Sequence, residues 1–211
     1  MEKRFSRALL GALACAVNAV QAQSQFPGPP MESSVTVYGG YRWGGSFTDT
    51  TTGQGVNVND HSSYAVAADI GLDSRRQLEL FYGHQRTALS SGAFSPAVNN
   101  LPLSIDYFHI GGTYFFQKPA DGAYVVGGVG VTSARPGEGL HSEVKPSINL
   151  GFGYMLPLGR QLALRFEARG YATLFDSSGS LFCGNGNGCV VSIQGMTMSQ
   201  GEALIGLSAR F

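Results

Sequence analysis

The last ten residues read Glu202-Ala-Leu-Ile-Gly-Leu-Ser-Ala-Arg-Phe211. Ala203, Ile205, Leu207, Ala209 and Phe211 occupy one set of alternate positions. Glu202, Leu204, Gly206, Ser208 and Arg210 occupy the other. Successive side chains of a β-strand point to opposite faces. This is therefore a strand with one apolar face and one mostly polar face, ending on an aromatic carboxyl terminus. Soluble sandwich strands alternate as well, so one strand decides little. Here the pattern recurs along the chain, behind an N-terminal export signal. A bilayer admits strands only as a closed barrel, with lipid outside and polar groups inside. The expected fold is all-β: an eight-stranded antiparallel up-and-down transmembrane β-barrel.

The export signal is read from three features. Lys3, Arg4 and Arg7 give a basic start, Ala8 to Val17 is a short apolar run, and Val20-Gln21-Ala22 fits small-x-small cleavage. The run is too short to span a bilayer as a helix. Ala12-Leu13-Ala14 before Cys15 is a poor match to a lipoprotein signal. Residues 1–22 are thus expected to be removed, leaving 23–34 as a periplasmic N-terminal segment and 35–211 as the barrel. The whole chain has 14 basic and 14 acidic residues; cleavage leaves 11 and 13. A mature net charge of −2 argues against a nucleic-acid partner.

Composition agrees. There are 30 Gly, 13 Phe and 9 Tyr, and only 13% of residues are charged. No stretch after the signal is a helical span of about 20 apolar residues. Mean hydropathy is near zero, because the two faces of an alternating barrel cancel.

Strand one (about 35–48) puts Val35, Val37, Tyr41 and Trp43 on the lipid face. Strand two (63–72) does so with Tyr64, Val66 and Ile70. In strand three Leu78, Leu80 and Tyr82 point out and Glu79, Phe81 and Gln85 in. Strand four (103–116) alternates poorly; placing Asp106 inward sends Phe108 and Ile110 in and His109 out. Strand five is 123–132. Strand six has Ile148, Leu150, Phe152 and Tyr154 out. Strand seven has Leu162, Leu164 and Phe166 out, with Arg165, Glu167 and Arg169 in. Tight turns near 73–76, 118–121 and 157–160 alternate with long connections near 49–62, 88–102, 133–143 and 177–200. One short-turn side and one long-loop side is the asymmetry of outer-membrane barrels, with both termini on the short-turn, periplasmic side.

The leader ending Val20-Gln21-Ala22, the strand Leu162-Ala-Leu-Arg-Phe-Glu-Ala-Arg-Gly-Tyr171 and the terminus Gly206-Leu-Ser-Ala-Arg-Phe211 resemble the small eight-stranded outer-membrane barrels of Gram-negative bacteria, the OmpA-type and OmpX-type group. The resemblance covers the mature chain and implies an architecture more than an activity. It implies location in the cell outer membrane and contact with lipid and lipopolysaccharide. It also implies engagement of the barrel-assembly machinery through the C-terminal strand, with Phe211 as the insertion signal.

Charges on the inward face are the main candidate site. Arg42, Lys145, Arg165, Arg169 and Arg210 are expected inside, together with Asp69, Glu79, Asp106, Glu167 and Glu202. An eight-stranded barrel is just wide enough for side chains to fill. Isolated buried charges cost several kcal/mol each, so pairing into a salt-bridged polar core is expected over an ion-conducting lumen. Cys183 and Cys189 bracket Gly184-Asn-Gly-Asn-Gly188. In an oxidising compartment they are expected to form a disulfide within the last long loop. No metal or other cofactor is expected. His141-Ser142-Glu143 invites a lipid-hydrolase reading, but adjacent residues on a loop do not make a triad. His84 and Arg86 fall on the outward set of strand three, where an Arg can meet a lipopolysaccharide phosphate. Trp43, Phe47, Tyr64 and Phe175, and at the other end Phe115, Tyr154 and Phe211, are read as aromatic girdles. The expected function is that of a monomeric, non-enzymatic scaffold whose four loops face an extracellular partner. A small-solute channel is the alternative, with a lipid A-modifying enzyme behind it.

Overall fold

The computed structural model describes residues 33–48, 55–91, 101–117, 121–137, 141–174, 180–183, 189–192 and 197–211. Twelve strands follow one another: β1 (Ser34–Gly44), β2 (Ser46–Thr48), β3 (Gly55–Val58), β4 (His61–Gly71), β5 (Arg76–Ser91) and β6 (Leu101–Phe115). Then come β7 (Gly122–Pro136), β8 (Glu143–Pro157), β9 (Leu162–Leu174), β10 (Ser180–Cys183), β11 (Cys189–Ser192) and β12 (Thr197–Arg210).

Eight of these close a ring in the order β1-β12-β9-β8-β7-β6-β5-β4 and back to β1, every pair antiparallel. Closure leaves no sheet edge, so the backbone of every barrel strand is paired within the sheet. The last strand closes on the first: Ser34 stands opposite Arg210 and Gly44 opposite Gln200. Phe211 and Ser33 extend this pairing by two backbone hydrogen bonds, of 3.0 and 3.1 Å.

At one end the connections are short. In the first, Asp73 Oδ1 accepts the backbone N–H groups of Arg75 and Arg76 at 2.8 and 2.9 Å. Those donors, that of Arg75 first, hold its carboxyl below the usual carboxylate range. At the other end the strands are longer than the alternation alone suggests. β5 runs on to Ser91, β7 to Pro136, β8 begins at Glu143 and β12 at Thr197. Strand one does not run unbroken to Thr48. Gly44 and Gly45 take φ of 82° and 100°, a left-handed turn that breaks β1 from β2. The short hairpin β2–β3 then extends the sheet along β5.

Alternation sorts the side chains as a membrane barrel requires. Val37, Tyr41, Tyr64, Ile70, Leu80, Ile148, Leu150, Phe152, Phe166, Ile205 and Leu207 are exposed on the outer wall. Arg42, Asp69, Glu79, Arg165, Glu167, Arg169 and Glu202 are buried. A soluble barrel would reverse the two sets, so the apolar belt faces lipid.

β6 corrects the sequence reading. Its odd residues, Leu103, Ile105, Tyr107, His109, Thr113 and Phe115, are buried in the lumen. Phe108 and Ile110 are exposed on the wall. Asp106 is therefore outward and His109 inward, the reverse of expectation. Phe115 leaves the girdle for the lumen, and Tyr114 and Phe116 are exposed in its place. A one-residue change of register flips every side chain of a strand. A lone carboxylate does not fix the register here, because Tyr82, His84 and Arg135 satisfy Asp106 on the outer wall.

The lumen is filled at both ends. Phe115, Tyr124, Val126, Met155 and Ala163 cluster at the short-turn end. Leu103, Ile105 and Met198 are buried toward the other end. They border, with Thr132 and Thr173, a cavity of about 10 Å³, room for one water at most.

Candidate functional site

Between the two apolar layers lie three arginines and four carboxylates. β9 carries Arg165, Glu167 and Arg169, which its two-residue period aims at the same interior. β5 stands four places around the ring from β9, directly across the bore, and supplies Glu79. Arg169 Nη1 and Nη2 meet Glu79 Oε1 and Oε2 at 3.0 and 3.3 Å, a two-pronged guanidinium–carboxylate contact. The same guanidinium donates from Nε to Glu167 Oε1 at 2.7 Å and lies 3.9 Å from the centroid of the Phe81 ring.

Arg165 reaches β4, where its Nη1 meets Asp69 Oδ2 at 2.7 Å. Its Nη2 stands 3.7 Å from Glu79 and 3.6 Å from Glu167, and its Nε donates to the Tyr124 hydroxyl at 3.2 Å. Tyr124 in turn donates to Glu167 Oε2 at 2.8 Å. Ser34 donates to Asp69 Oδ2 at 3.0 Å. These contacts tie β1, β4, β5, β7 and β9 together through the middle of the barrel.

The third pair is local. Arg42 and Glu202 are register partners on β1 and β12, with Nη2 2.8 Å from Oε1. Arg42 lies over the rings of Tyr107 and Tyr171, at 4.7 and 5.1 Å from their centroids. Tyr171 donates to Glu202 Oε2 at 2.5 Å, and the two tyrosine rings stack at 4.2 Å. Tyr107 donates to Gln200 Oε1 at 2.7 Å. His109, absent from the sequence-based set, lies beside this stack with Nε2 3.0 Å from Ser147 Oγ. The period of Leu103, Ile105 and Tyr107 would have found it.

Arg210 is not in this cluster. It is half-buried at the short-turn rim, where Nη2 donates to the Gly159 carbonyl. The end of the last strand lies too near the turns to reach the bore's centre. Lys145 faces inward at the long-connection end, 3.7 Å from Glu143. His141 and Ser142 are exposed there while Glu143 turns inward, so the three do not converge. Among the described residues no group of three His, Cys, Asp or Glu could hold a metal ion.

A second polar cluster lies on the outer wall. His84, Asp106 and Ser133 are register partners across β5, β6 and β7. Asp106 Oδ1 accepts the Tyr82 hydroxyl at 2.8 Å and faces His84 Nδ1 at 2.6 Å. Arg135 pairs with Oδ2. The Tyr64 ring lies 4.8 Å from that of His84. Asp106 thus stays on the outer face because three neighbours satisfy it there.

The hairpin β10–β11 sets Cys183 opposite Cys189 in backbone register. Their side chains lie outside the described residues, as do the signal segment, Phe175 and the side chain of Phe47.

No family model matches the chain, and no curated protein matches it. Solved structures do. Neisserial surface protein A is 10% identical, with a TM-score of 0.51, over 85% of this chain and 97% of that one. OprG from Pseudomonas aeruginosa is 10% identical, with a TM-score of 0.51, over 86% and 96%. The outer membrane protein AlkL, solved in lipid bilayers, is 14% identical, with a TM-score of 0.55, over 89% and 94%. The fold is that of the small outer-membrane barrels, and the apolar belt seats it in a bilayer.

Proposed function

We propose that this chain is a closed scaffold barrel of the outer membrane that presents its long connections outside the cell for surface interaction. It neither conducts nor catalyses. The observation that carries this reading is the layer of crossing ion pairs. Arg165 and Arg169 on one wall meet Asp69 and Glu79 on the far wall, with apolar side chains packed at both ends of the lumen. Nothing of solute size passes such a bore without parting buried guanidinium–carboxylate contacts.

The arrangement resembles a protein core in which salt bridges stand in for the hydrophobic interior that the outer wall gives up to lipid. Function is then left to the connections at the rim and to the outer wall. Insertion through the barrel-assembly machinery fits the C-terminal strand, whose Phe211 is exposed beside Ser33 at the closing seam. The monomeric state fits a ring that is closed within one chain.

A small-solute channel is the second reading. In its favour are lumen polar atoms without a protein hydrogen-bond partner, among them both side-chain atoms of Asn149 and His109 Nδ1, which call for internal water. Planar-bilayer recording on refolded protein separates the two. The scaffold gives no steady current; a stable open level in the wild type makes the channel the correct reading.

A further inference from the structure

The outer wall carries charge where a lipid-facing wall should be apolar. β5 starts at Arg76 on the short turn. With about 3.3 Å of rise per residue and the tilt usual for such barrels, Arg86 lies about 25 Å above that turn. This is the height of the apolar band, so Arg86 sits at its upper rim. Arg86, Ser104 and Arg135 are register partners on three consecutive strands, all on the outward set. Two strand spacings separate the arginines at the backbone, about 10 Å. A single phosphate group fits between two such side chains converging from either side.

Arg86 is exposed and has no ion-pair partner among the described residues. Arg135 uses one guanidinium nitrogen on Asp106. Asp106 thereby holds the side chain against the wall and leaves the remaining donors of its fork free to face a ligand. Below, the wall turns apolar through Tyr82, Phe108 and Val131, the surroundings an acyl chain requires.

A third polar group points to what else is bound. His84 is 7% exposed. With Nδ1 on Asp106, its Nε2 is buried and has no hydrogen-bond partner. A sugar hydroxyl, which both donates and accepts, satisfies Nε2 whichever role that nitrogen takes.

We infer that the rim of β5, β6 and β7 is a docking site for a phosphorylated glycolipid of the outer leaflet, its phosphate held by Arg86, Ser104 and Arg135 and a sugar hydroxyl by His84. The inference rests on the loops-outside orientation proposed above and is independent of whether the bore conducts. Charge complementarity selects an anionic headgroup, and the apolar wall beneath selects one attached to acyl chains.

The test uses mature protein refolded in detergent, with lipid A in its bis-phosphorylated and dephosphorylated forms as probes. Retained lipid is counted by native mass spectrometry. Wild type should retain the phosphorylated form at least about tenfold better, the scale of one charged hydrogen bond. Arg86→Ala should lose that preference with unchanged stability, whereas Arg76→Ala at the opposite rim should keep it. Arg135→Ala should lose it too, and His84→Phe should weaken both forms alike. Equal retention of the two forms by wild type overturns the inference, as does an Arg86→Ala variant that behaves like Arg76→Ala. Protease added to intact cells separately reports the orientation. If it spares the long connections, the orientation fails while the binding result in detergent still stands.

Discussion

Two clusters in this barrel use the same chemistry in opposite surroundings. In the lumen, Arg165 and Arg169 meet Asp69, Glu79 and Glu167 with a tyrosine hydroxyl between them. On the outer wall, Arg135 meets Asp106 beside Tyr82 and His84. The lumen groups have no exit: the side chains of Arg165, Arg169 and Glu167 are 0% exposed, and both arginines depend on other strands, through Asp69 and Glu79, for a counter-charge. Arg135 is 56% exposed at its side chain and can turn to headgroups or water if its partner is lost. The number of salt bridges therefore says less about stability than whether a broken one leaves a charge stranded.

Glu167→Leu should produce the largest effect. Glu167 takes a hydrogen bond from Arg169, another from Tyr124 and the field of Arg165. Its removal takes from Arg165 and Arg169 one of the carboxylates each faces, and it leaves the Arg169 Nε–H and the Tyr124 hydroxyl without their acceptor in the lumen, at a cost of about 3 kcal/mol. The urea midpoint of the refolded barrel should fall clearly. An unchanged midpoint would mean that the lumen is wet enough to screen these charges, and the comparison would collapse.

Asp106→Ala should sharpen the contrast. It removes as many partners as Glu167→Leu, yet those partners lie at the rim. The expected loss is about 1–2 kcal/mol, near that of a hydrogen bond to a charged group, read from the same urea titration. A loss equal to that of Glu167→Leu would show the outer cluster to be as dry as the inner one.

Cys183→Ser should have the smallest effect. The cysteines are backbone register partners on a hairpin that, among the described residues, pairs with no barrel strand. Protein from an oxidising envelope should show no free thiol at Cys183 or Cys189 before reduction. The serine variant should keep its urea midpoint within about 0.5 kcal/mol, as surface changes do. A variant that failed to fold would tie the hairpin to the barrel.

How much of this was legible in the sequence varies strand by strand. β9 is legible from Leu162 to Leu174 because Leu162, Leu164 and Phe166 alternate with Arg165, Glu167 and Arg169. β12 and β8 were legible for the same reason. β6 was not. Ile105, Tyr107 and His109 interleave with Asp106, Phe108 and Ile110, so both faces look mixed and a single charged residue chose the register. The longer ends of β5, β7 and β12 were hidden because Ser, Thr, Gly and Gln there read as loop until a neighbouring strand supplies their hydrogen bonds.

The sequence by itself determined the strand period, the short turns, the inside-out polarity and hence a membrane barrel. Each of these is written in residues near one another along the chain. Only the tertiary structure decided who pairs with whom. Arg165 finds Asp69 across 96 positions and Arg42 finds Glu202 across 160. It also kept Asp106 on the wall and took Arg210 out of the lumen. Alternation states which face a side chain takes. It carries nothing about height along the barrel axis or about the opposite wall, and those two coordinates set which charges come within reach.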